Sequence, residues 1–109
     1  MTIQVVVTDR APPRQLDSAV RWWAENRSPA QAERWYNGFL KAMQGLSRNP
    51  QRCPKSPESP RLLMETRDLF YGLGRRKAHR AVFTIRSDKV LVLAIRHLAQ
   101  DELTPHDIL

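Results

Sequence analysis

The residues of this chain best equipped for chemistry crowd into positions 75–97, RRKAHRAVFTIRSDKVLVLAIRH. Seven cations, Arg75, Arg76, Lys77, Arg80, Arg86, Lys89 and Arg96, accompany one acid, Asp88. Such a run attracts anions: nucleic acid, an acidic protein segment or an acidic membrane face. His97 closes the run, and an imidazole has the pKa that suits proton transfer near neutrality. The three histidines, His79, His97 and His106, lack metal-ligand spacing. The single cysteine, Cys53, has no second thiol for a disulfide or a metal cluster, and reads as a loop residue rather than a nucleophile. No cofactor is implied.

The element that must position these groups is a β-hairpin. Residues 78–86 are rich in β-branched and aromatic side chains, residues 90–95 are almost wholly apolar, and Ser87-Asp88-Lys89 makes a polar turn. The most apolar part of a sheet and the densest positive charge therefore coincide.

The remaining elements follow from periodicity and breakers. Residues 3–8 form a short strand that Pro12-Pro13 ends. A first helix is expected from Pro13 to Glu25, with Leu16, Ala19, Val20 and Trp23 on one stripe and Trp22 beside it. Ser28-Pro29-Ala30-Gln31 opens a second helix as a capping box, with the stripe Ala32, Trp35, Tyr36, Phe39, Met43 and Leu46. The three tryptophans read as core. Asn26-Arg27 is so short a link that the helices make an antiparallel hairpin. Residues 49–60, with four prolines, form an ordered connector, and residues 62–73 a further strand region. The acidic tail could fold back on the basic sheet. The resulting fold is α+β, a single domain over 1–109: a mostly antiparallel sheet in the order β-α-α-β-β-β with a two-helix hairpin on one face. No apolar run approaches a membrane span, and no signal peptide is visible. With the lone cysteine, this makes the cytoplasm the expected location. The net charge of +7 keeps nucleic acid and acidic proteins in view as partners.

The element order, Leu16-Asp17 with Trp22-Trp23, the SPAQAERW helix start, Asn49-Pro50, Arg67-Asp68-Leu69, the strand from His79-Arg80 through Ile85, and the ending from Val92 to His97 together resemble the RelE/ParE superfamily of type II toxin–antitoxin systems, often described as plasmid stabilisation proteins. The resemblance implies a growth-inhibiting toxin neutralised by a cognate antitoxin in a hetero-oligomer. Its two branches imply two activities. RelE-like members cleave mRNA on the ribosome, and ParE-like members poison DNA gyrase.

Metal-independent RNA cleavage needs a base, cations on the phosphate and an acid for the leaving oxygen. By resemblance Arg80 matches the phosphate-contacting strand arginine of the nuclease branch, and Arg80 with His97 is the minimal catalytic pair. The alternatives stay open: Arg80 as a sheet-face residue or a salt-bridge partner of Asp68, His97 as a strand cap. Where the nucleases carry lysines this chain has Tyr71 and Leu73, and where their tails carry Arg and Tyr it has Gln100, Asp101 and His106. Glu65 or Asp68 could stand in as a base. The His97-x-x-x-Asp101 ending and the missing lysines favour the ParE-like branch. Arg75, Arg76, Lys77, Arg86 and Arg96 are then expected to bind the antitoxin or the target. An inactive toxin that only binds its antitoxin is the third possibility.

Overall fold

A computed structural model describes residues 3–8, 15–73, 77–98 and 103–105. The chain runs β1 (Gln4–Val7), α1 (Gln15–Asn26), α2 (Pro29–Gln44), β2 (Arg67–Tyr71), β3 (His79–Arg86) and β4 (Lys89–His97). The four strands form one sheet in the order β1-β4-β3-β2. β2, β3 and β4 are antiparallel neighbours, and β1 adds parallel to β4 at the edge. The α+β class and the element order are those expected. The parallel edge was not anticipated, because residues this far apart carry no local pairing signal.

Helix α2 starts where its cap requires. The Ser28 hydroxyl accepts the Gln31 N–H at 3.1 Å, and Pro29 fills the first turn. Its apolar stripe buries Ala32, Trp35, Phe39 and Met43. The helix yields to a 3₁₀ turn at Gly45–Ser47 that buries Leu46, and Asn49 follows in the left-handed region at φ 48°. Helix α1 ends at Asn26, whose side chain donates to the Trp22 carbonyl. The expected start of α1 at Pro13 lies outside the described residues. Along α1 only Leu16 is buried among the side chains described, and Trp22 is 49% exposed, so it is not core as expected. It stacks edge-on against Trp23 instead, with ring centroids 5.5 Å apart.

The helix-facing side of the sheet carries Ala81, Phe83, Val90, Val92 and Ile95, packed on Leu16, Trp35, Phe39, Met43 and Leu46. Each large side chain buried here contributes about 1.5–3 kcal/mol. β4 holds one more residue than its partner: Val82 pairs with Ala94 and Phe83 with Val92, so Leu93 is extra. The bulge turns both Leu93 and Ala94 to the opposite face. There Leu93 meets Leu62, and Ala94 joins Val82 and Leu103. The sheet is therefore covered on both sides, by helices on one and by the proline-rich segment and Leu103 on the other.

The strand expected over 62–73 is shorter than its apolar pattern suggests. A 3₁₀ turn at Ser59–Arg61 leads into Leu62, which anchors the covering segment and not the sheet. Residues 54–56 line the outer edge of β2 through Ser56 N–H to Thr66 carbonyl and Asp68 N–H to Pro54 carbonyl bonds, each 2.9 Å. The hairpin turn contains two residues, with Ser87 at φ 50°, as the first central position of a primed turn demands.

Gly38 sets how closely α2 approaches β2. A Cβ there would overlap the Tyr71 hydroxyl, which donates to the Trp35 carbonyl at 3.1 Å while its ring stacks on Phe39. Gly38→Ala gains about 1 kcal/mol of helix propensity but loses the hydrogen bond and overpacks the seam, at about 2–4 kcal/mol together. Urea unfolding should show a net loss of about 1–3 kcal/mol, and adding Tyr71→Phe should recover most of it.

Candidate functional site

Two constellations stand out, one on each face of the sheet. On the helix side a cavity of about 650 Å³ opens between α1 and the ends of β3 and β4. Trp22 and Trp23 line it from α1, Arg27 from the turn just after it, Trp35 from α2, Leu73 from beyond β2, and His79 and His97 from the sheet. The wall is mostly apolar, and half-exposed Trp22 stands at it. His79 packs on Trp35 with centroids 5.1 Å apart and meets His97 at 5.0 Å. Burial, then the neighbouring His97, pushes the His79 pKa down to about 4.

On the other face Arg80 is 8% exposed, between Glu58 at 1% and Asp68 at 2%. Its guanidinium reaches both oxygens of Asp68 at 3.0 Å and both oxygens of Glu58, one of them at 3.0 Å. The Ser56 hydroxyl donates to Asp68 at 2.5 Å, and the Leu103 N–H donates to Glu58 at 2.9 Å. Burial alone would push the Glu58 carboxyl up. The Arg80 bonds and the Leu103 amide outweigh it and hold the pKa near 2.

The pair Arg80 and His97 is therefore not assembled. β3 and β4 align His79 with His97 and Arg80 with Arg96, and side chains alternate along a strand. Arg80 consequently points away from the face that carries His97, and its charge is engaged by two carboxylates. The Arg80–Asp68 ion pair weighed from the sequence is present; Glu58, its second partner, was missed. Glu58 sits in a proline-rich segment 22 residues before Arg80, and no spacing rule joins the two. Asp68 is buried in this cluster, while Glu65 is exposed and pairs with Lys55 and Arg67.

The other expected binding residues separate. Lys77 is exposed just before β3, near the cavity, and Arg96 is half-buried on the Arg80 face. Arg86 is exposed at the far end of the hairpin, against the Met64 sulfur. At roughly 3.3 Å per residue, β3 sets the two ends of this run roughly 23 Å apart. Arg75 and Arg76 lie outside the described residues, as do Gln100, Asp101 and His106. The cations adjacent in sequence do not form one patch among the described residues.

The family model for the ParE toxin of the type II toxin-antitoxin system, parDE, matches residues 5–102, and the chain belongs to that family. Among solved structures, a chain of the chromosomal ParDE TA system from P. aeruginosa is similar in fold at 18% identity and a TM-score of 0.66; the match covers 88% of this chain and 96% of that one. No curated protein sequence matches. Among the described residues no helix is long and apolar enough to cross a membrane.

Removing one partner of a buried ion cluster leaves uncompensated charge. Arg80→Ala should destabilise the protein by about 3–5 kcal/mol, read by urea unfolding, so a loss of toxicity in that variant would report folding first. Acid should act in two windows. Both depressed pKa values mean that the unfolded chain takes up the proton first. The His79 contribution is complete above its ordinary 6.5 and lost as pH falls through about 4. The Glu58 contribution is complete above its ordinary 4.5 and lost as pH falls through about 2. Urea midpoints measured across pH should fall in both windows. His79→Gln should flatten the upper slope and Glu58→Gln the lower.

Proposed function

We propose that this protein inhibits growth as the toxin of a type II module, acting in the cytoplasm by binding a macromolecular target, with DNA gyrase the leading candidate, and that a cognate antitoxin neutralises it in a hetero-oligomer. The observation that carries this reading is the match to the ParE toxin model over residues 5–102. The site geometry supports binding over ribonuclease chemistry. Arg80 is engaged by Glu58 and Asp68, and His97 lies on the opposite face.

The tryptophan-lined cavity is the proposed seat of the antitoxin. An amphipathic segment would place apolar side chains against Trp22, Trp23 and Leu73, and acidic ones toward Arg27 and Lys77. Large, half-exposed aromatic residues carry a disproportionate share of interface energy. The net charge of +7 favours an acidic partner.

The test is induced expression without antitoxin, with DNA supercoiling and primer extension on bulk mRNA read in parallel. Inhibited supercoiling with intact mRNA is the expected result. Codon-phased mRNA cuts with normal supercoiling would overturn the gyrase reading in favour of the ribosome-dependent endoribonuclease, and no growth defect would leave an antitoxin-binding protein only. Binding to an acidic cognate antitoxin should weaken roughly thirtyfold in Trp22→Ala, the loss of about 2 kcal/mol typical of a hot spot. Circular dichroism should stay unchanged.

A further inference from the structure

The two histidines at the cavity have a relation that the toxin reading does not use. His79 and His97 are directly opposed in β3 and β4. The Leu98 N–H donates to the Ala78 carbonyl at 2.8 Å, which puts the 79/97 pair at a non-hydrogen-bonded position of the antiparallel ladder. At such positions facing side chains approach most closely. The imidazole centroids are 5.0 Å apart with the rings at 83°.

His79 is held from behind by Trp35, and its Nδ1 is buried without a hydrogen-bond partner. An unpartnered, buried ring nitrogen is costly unless something accepts its lone pair or its proton. Both rings line a cavity with space for further ligands such as water.

We propose that His79 and His97 form a two-imidazole site for a divalent first-row transition ion, with its other coordination positions open to water or to a side chain of a bound partner. Imidazole donors without oxygen ligands select Cu²⁺, Ni²⁺ or Zn²⁺ over Mg²⁺ and Ca²⁺, with Cu²⁺ bound most tightly. Among the described residues no third His, Cys, Asp or Glu joins them to make a metal-holding group. Arg27 lines the same cavity and weakens cation binding, so the affinity is that of an exchangeable site rather than a structural one.

Trp35, beside His79, supplies the readout, because bound Cu²⁺ quenches nearby indole fluorescence. The full chain is titrated with Cu²⁺ at neutral pH, and with Zn²⁺ while the unfolding temperature is followed. Expected are saturable quenching at one equivalent, a rise in melting temperature with Zn²⁺, and no response to Mg²⁺. His97→Gln should weaken Cu²⁺ binding roughly tenfold or more, since even an outer-shell change costs that much, and should remove the Zn²⁺ effect. His97 is exposed, so this variant should fold normally. His79→Gln should act alike, and His106→Gln should leave the curves unchanged. Quenching that never saturates, or that survives His97→Gln undiminished, would overturn the site. So would binding that is lost in His106→Gln.

Discussion

One guanidinium held between two carboxylates ties this protein together. Arg80 belongs to β3, Asp68 to β2, Glu58 to the proline-rich segment, and the Leu103 amide closes the group from beyond β4. Three full charges sum to minus one, and neutral donors from Ser56 and Leu103 satisfy further carboxylate lone pairs. A cluster so completely bonded can be buried without an orphaned charge. It also explains why a segment with four prolines is ordered: its backbone is stiff before folding and is pinned at Ser56 and Glu58. Leu62 and Leu103 then bring their side chains onto the bulged stretch of β4.

The sheet consequently separates two kinds of work. Its outer face holds the latch, where buried charges are paired. Its inner face holds the helices and the tryptophan-lined cavity, where apolar wall is left open. The two-residue period of a strand enforces the division, since neighbours on β3 cannot share a face. Arg80 and His79 are adjacent in the chain, yet one stabilises the fold and the other borders the cavity. Basic residues that look like one patch along the sequence are therefore parcelled between a buried cluster, the cavity side and the far end of a hairpin.

Much of this was legible from residue types. Ser28 with Pro29 placed the start of α2, the stripe from Ala32 to Leu46 marked its buried side, and the polar interval at Ser87 located the hairpin turn. Those signals are local, acting over one turn of helix or one pair of strands. What could not be read were relations between distant parts. Glu58 finds Arg80 only through the tertiary fold, and the bulge at Leu93 shows only once the register is known. Trp22 differs from Trp23 by one helical step of 100°, enough to carry it from the buried stripe to solvent. The separation of Arg80 from His97 follows from strand alternation alone, because pairing His79 with His97 puts Arg80 on the other face.

The parallel edge strand carries a consequence in time. Thr8, just beyond β1, hydrogen-bonds to Val92 of β4, a partner 84 residues further along. At a synthesis rate of ~5–20 residues per second, that partner emerges roughly 4–17 s later. During the interval the valines of β1 have no sheet to join, and contacts of such long range are the slowest to close. The latch waits even longer, because Leu103 follows β4. A nascent chain thus carries its helical hairpin well before it has a finished sheet. The cavity, whose wall includes His97, comes into being only once β4 has been made. Any partner that recognises the completed cavity must meet a chain whose β4 has already emerged.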